Sequence, residues 1–90
     1  MFHYIYLLQS KINRELYTGY TADLKKRLVE HNKGLNKSTN KARPWELIYF
    51  EGCKNKEDAI RREKYLKTSQ GRRLLRRRIK EYFYNQKYKN

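Results

Sequence analysis

The sequence predicts an α+β (mixed α/β) domain, a small three-stranded sheet flanked by helices in the order β-β-α-β-α-α. Three observations lead there. Runs rich in aromatic and branched residues stand at 2–8, 16–20 and 45–53; apolar residues recur at helical spacing between and after them; the breaks are short and polar. Ninety residues suit one domain. It is expected over residues 1–84, with 85–90 as a frayed tail.

The first strand is Phe2-His3-Tyr4-Ile5-Tyr6-Leu7-Leu8, and polar Ser10–Glu15 turns the chain into a second strand, Leu16–Tyr20. So short a connection predicts an antiparallel hairpin. Thr21 is placed to cap a helix carrying Asp23 near its positive end, with Leu24, Leu28, His31 and Leu35 as its stripe and Gly34 as its stop signal. Residues 35–43 read as a loop closed by Pro44, and Trp45–Cys53 as the third strand. Asn55 opens the next helix, with Ala59, Ile60, Glu63 and Leu66 inward. A break is expected near Gly71, with Ser69 capping a last helix whose narrow apolar face is Leu75, Ile79, Tyr82 and Phe83.

Charge narrows the function. Twenty-three Lys and Arg against nine Asp and Glu leave a formal net charge of +14, while nine tyrosines argue for a folded chain. Residues 61–90 hold most of the excess, including Lys64, Lys67, Arg72, Arg73, Arg76 and Arg77, the footprint expected of a binder of phosphate backbones. A solvated basic helix is the blander reading, yet so large an excess repels itself unless a polyanion offsets it. Membrane anchoring is disfavoured by the narrow apolar face. Cys53 is the single cysteine, which excludes an internal disulfide and a Cys-type zinc finger. With neither a long apolar run nor a signal-peptide pattern, a cytoplasmic protein with a nucleic-acid partner is expected.

Four features bear on chemistry. Tyr6 and Tyr17 sit on adjacent strands and can approach each other if the register allows; half-buried sheet aromatics are the competing account. Arg27 and His31 are one helical turn apart, at the border of the apolar stripe. Glu63 falls on an inward stripe, where a carboxylate needs a basic partner or a cation completed by water and phosphate. Gly19 permits close approach of a ligand to the backbone.

These residues carry a resemblance. Tyr4-Ile5-Tyr6 followed by Tyr17-Thr18-Gly19 resembles the paired signature of GIY-YIG nucleases. The stretch Tyr20–Asn32, with Arg27 and His31, resembles the family's helix. Arg43–Tyr49 resembles its third strand, and Ala59-Ile60-Arg61-Arg62-Glu63-Lys64 the segment bearing its metal-binding glutamate. The likeness spans roughly residues 3–75, closest in form to short bacterial members related to the nuclease domain of the UvrC excision-repair subunit.

The resemblance implies a metal-dependent endonuclease acting on DNA, structure-selective or weakly specific, with a repair protein as a possible partner. Tyr6 is then the general base or water-positioning group, Tyr17 its support, and Arg27 the stabiliser of phosphoryl charge. His31 assists proton traffic, Glu63 holds one Mg²⁺ or Mn²⁺, and Gly19 keeps the strand open to substrate. A phenol has a pKa of about 10, so this role calls for a cation, Arg27 and the protein's positive field to lower it. Two departures stand out. Tyr4 replaces the leading glycine, and Lys67-Thr68-Ser69-Gln70-Gly71-Arg72 lacks the asparagine of larger members, leaving Ser69 or an arginine to take its place. The alternative is a catalytically weak nucleic-acid-binding module of the same fold.

Overall fold

The computed structural model describes residues 1–88. His3–Ser10 forms the central strand β1, almost wholly buried because Ile5, Leu7 and Leu8 need cover on both faces. β2 (Leu16–Thr21) and β3 (Trp45–Cys53) flank it, both antiparallel, in the order β2-β1-β3. Arg14 takes the left-handed conformation (φ 63°) that closes the hairpin, in place of the usual glycine or asparagine. The pairing sets Tyr6 opposite Gly19 on β2 and Phe50 on β3, with an irregularity between Leu7 and Leu8. That slip keeps Trp45, Leu47 and Phe50 on one face despite their uneven spacing.

Two helical layers cover the sheet. On the face of Tyr6 and Leu8, α1 (Leu24–Asn32) seals a core with Trp45, Ala42, Leu24, Leu28 and Leu47. Its cap is Asp23, whose carboxylate accepts from the Lys26 N–H at 3.0 Å, not Thr21, which instead bonds Asp23. Gly34, at φ 79°, ends the helix as expected, but Leu35 lies beyond that stop and is exposed rather than part of the stripe. The opposite face packs Ile5 and Leu7 against Ala59 and Leu66 of α2 (Lys56–Leu66) and Leu75 of α3 (Ser69–Arg78). Asn55 caps α2 and Thr68, one residue before the expected Ser69, caps α3.

The break expected near Gly71 comes at Lys67 and Thr68, between α2 and α3, and Gly71 itself follows it. That glycine lies in the first turn of α3, pressed against the backbone of Tyr65 and Leu66, where no side chain fits. A second break, at Ile79, interrupts the last helix, after which α4 runs Lys80–Tyr88. Residues 85–88, expected to fray, continue that helix. Gln86 and Tyr82 both donate to the Gln9 side chain, at 2.8 and 2.7 Å, tying α4 to β1. The remainder of the expected tail, 89–90, lies outside the described residues. Among the described residues no helix is long and apolar enough to cross a membrane.

Candidate active site

The side chain of Tyr6 is almost fully buried, and its ring lies across Gly19 of the edge strand. A β-carbon at Gly19 would occupy the space of the phenol, so the glycine makes room for Tyr6 itself. Crossing an edge strand carries the hydroxyl to the margin of the sheet. There it meets His31 Nε2 at 2.8 Å, and Arg27 Nε–H donates to it at 3.3 Å. Both partners come from one face of α1, as their four-residue spacing dictates. Tyr17 closes the cluster, its ring centroid 5.1 Å from His31 and 6.4 Å from Tyr6. The guanidinium is steadied by Glu30 at 3.1 Å.

His31 is wholly buried, and its other ring nitrogen lies 2.7 Å from Thr39 Oγ1. Thr39, also buried, in turn has Asn36 O within 3.4 Å, and its own carbonyl accepts from the Trp45 indole at 2.8 Å. Asn32 fixes the start of β3 by bonding both backbone groups of Trp45. Proton directions follow from these contacts. A guanidinium only donates, so Tyr6 accepts from Arg27. The buried phenol proton then needs an acceptor, and Nε2 supplies it. Nδ1–H accordingly donates to Thr39, whose hydroxyl donates to Asn36.

Electrostatics agree with that assignment. Burial, helped by the positive charge of Arg27, lowers the His31 pKa, which keeps the imidazole neutral and Nε2 free to accept. Burial raises the Tyr6 pKa, outweighing the hydrogen bond and charge of Arg27 that pull it down. In this arrangement the protein's own groups leave Tyr6 holding its proton.

Glu63 comes from a different element from the cluster. It projects from α2, whose buried residues pack on the opposite face of the sheet, and its carboxylate pairs with Lys67 Nζ at 2.9 Å. Its negative charge is still felt at the Tyr6 phenol, where it opposes ionisation. Among the described residues no group of three His, Cys, Asp or Glu is placed to hold a metal. A single hard carboxylate does suit Mg²⁺ or Mn²⁺, with water and substrate phosphate completing the shell, provided Lys67 (about half exposed) swings away.

The basic residues divide in a way their sequence does not reveal. Arg72 and Arg76, one turn apart, border a cleft with Leu7, Leu16 and Thr18 at the β2 side, on the face opposite Tyr6. Arg77 instead lines a cavity of about 580 Å³ with Arg62, Arg78, Tyr49 and Glu51, on the side of β3. Lys64, Lys67 and Arg73 are exposed. Sequence reasoning missed Thr39, which lies in an aperiodic polar loop and offers no signal.

The domain is thus an antiparallel three-stranded sheet with helices on both faces and a tyrosine–histidine–arginine cluster at its margin. Residues 2–75 match the model of the GIY-YIG catalytic domain, and the chain belongs to the GIY-YIG family. It is 40% identical to a UPF0213 protein of Staphylococcus saprophyticus over 82% of this chain and 90% of that protein. A UPF0213 protein of Clostridium perfringens is 42% identical over 72% of this chain and 70% of its own length. The solution NMR structure of the UPF0213 protein BH0048 from Bacillus halodurans is similar with a TM-score of 0.51 and 33% identity, covering 83% and 82% of the two chains.

Proposed function

We propose that this chain binds DNA and hydrolyses its phosphodiester bonds, with Tyr6, Tyr17, Arg27 and His31 as the catalytic group and Glu63 as the ligand of one divalent cation. The observation that carries this reading is the hydrogen-bonded line Arg27–Tyr6–His31–Thr39. A structural tyrosine needs one partner; this one has a donor on one side and a neutral base on the other. Tyr6 then works as a relay rather than a standing phenolate. It takes a proton from the attacking water as it passes its own to His31 Nε2, so the buried site never carries an isolated negative phenolate. Arg27 is placed to share its charge with the phosphoryl oxygens, and Tyr17 orients the imidazole. A bound Mg²⁺ or Mn²⁺ supplies charge stabilisation at phosphate and leaving oxygen. Lys64, Lys67, Arg72, Arg73, Arg76 and Arg77 provide the backbone contacts, with Arg72 and Arg76 nearest the cleft beside β2. A repair protein as partner and cytoplasmic action belong to the same reading.

The second reading is a nucleic-acid-binding module of little activity, and the Glu63–Lys67 ion pair favours it, since the carboxylate is engaged before any cation arrives. Cleavage assays with plasmid, single strands and branched duplexes in Mg²⁺, Mn²⁺ or EDTA separate the two. Cutting is expected only with metal, lost in Glu63→Gln and in Tyr6→Phe with binding retained. Binding without cutting in every metal establishes the module instead.

A further inference from the structure

Beside Tyr6 the sheet carries a feature that the cluster does not use. Phe50 is the direct cross-strand neighbour of Tyr6, yet its ring is about half exposed (52%). Tyr4 packs edge-on against it, with centroids 5.9 Å apart and planes at 72°. Phe2, on the same face by alternation, is 50% exposed, and the Lys54 ammonium sits 5.8 Å from its ring centre. Gly52, opposite Tyr4, presents no side chain, and a β-carbon there would press on the rings of Tyr4 and Phe2. The result is a row of rings on an open part of the sheet, on the same face as Tyr6 and beside it in the register. Large apolar side chains left open on a sheet call for an occupant.

We infer that Phe2, Tyr4 and Phe50 form a stacking platform for the bases of single-stranded DNA, which makes an unpaired strand the substrate of the neighbouring site. The inference rests on the proposed DNA reading for its ligand, but its test needs no cleavage. Three features select this occupant over a second copy of the chain. The surface is built of flat rings, which stack on any base irrespective of sequence. Lys54 lies over one of them, and the whole chain carries +14, complementary to a polyanion and mutually repulsive for two copies. Finally, bases of a duplex are already stacked on one another and present only their edges, so the platform discriminates against paired DNA.

The test measures binding in EDTA by fluorescence anisotropy, with labelled oligothymidylate and a duplex of equal length as probes. Phe50→Leu keeps the apolar packing and removes the ring, whereas Phe50→Trp restores a larger one. Expected is a loss of about fivefold or more in oligothymidylate affinity for Phe50→Leu, recovery in Phe50→Trp, and duplex affinity altered by less than about twofold. A Phe2→Leu/Phe50→Leu double variant loses more. Equal oligothymidylate binding by natural protein and Phe50→Leu overturns the inference, as does a parallel loss for the duplex. A concentration-dependent dimer abolished by Phe50→Leu in sedimentation velocity assigns the rings to a second copy instead, and oligouridylate bound more tightly than oligothymidylate assigns them to RNA. Should the platform bind single strands while no metal supports cutting, the inference stands and the nuclease reading falls.

Discussion

Gly19→Ala isolates the feature on which the candidate site depends. In an ordinary strand this change stabilises by about 0.5–1 kcal/mol, because alanine has less backbone freedom to lose. Gly19 has no positive φ that would favour glycine, so the backbone itself accepts alanine. The obstacle is the Tyr6 phenol, whose Oη and Cζ occupy the space of the new methyl group. That ring is rigid and hemmed in by Tyr17 and His31, so relief requires withdrawing the hydroxyl from Nε2 and Arg27. Leaving one or two buried polar groups without partners costs about 1–3 kcal/mol each. With both contacts broken the clash outweighs the backbone gain, for a net loss of about 1–5 kcal/mol. For a domain of this size each kcal/mol moves the melting temperature by about 4–8 °C, so a fall of at least about 4 °C is expected by calorimetry. A double-mutant cycle sharpens the argument. Tyr6→Phe is expected to cost about 1 kcal/mol or more in the natural background and nearly nothing in Gly19→Ala, where its hydrogen bonds are already broken. A Gly19→Ala protein as stable as the natural one, or equal Tyr6→Phe costs in both backgrounds, would refute the reasoning.

Two further perturbations follow from the same geometry. Because His31 is held below its ordinary pKa of 6.5, the unfolded chain binds its proton first. The contribution of His31 to stability is therefore complete above the ordinary value and declines as pH falls through it toward the depressed folded value. Proton NMR should place its titration midpoint below 6.5, and Thr39→Val, which removes the Nδ1 partner, should change that midpoint without unfolding the chain. Gly71→Ala drives a methyl group into the Tyr65 carbonyl and Leu66 Cα, both backbone atoms, and should cost about 2 kcal/mol or more in urea denaturation despite alanine's higher helix propensity.

Local chemistry explains which features the amino-acid order determined. Alternation and branched or aromatic content marked all three strands, helical spacing marked α1 and α2, and Arg27 and His31 share a face because four residues make one turn. The excess of lysine and arginine, a net charge of +14, is legible before any coordinate. Only the tertiary structure decided the rest. Which residue faces Gly19 is a matter of strand register, and a one-residue slip would have turned Tyr6 away from it. Thr39 became the partner of His31 by loop folding, with no periodicity to announce it. The α3 arginines divide between the β2 and β3 sides because consecutive residues on a helix point about 100° apart, which a run of arginines in a line of text conceals. Long-range placement depends on how the faces of separate elements meet, and neither propensity nor spacing encodes that meeting.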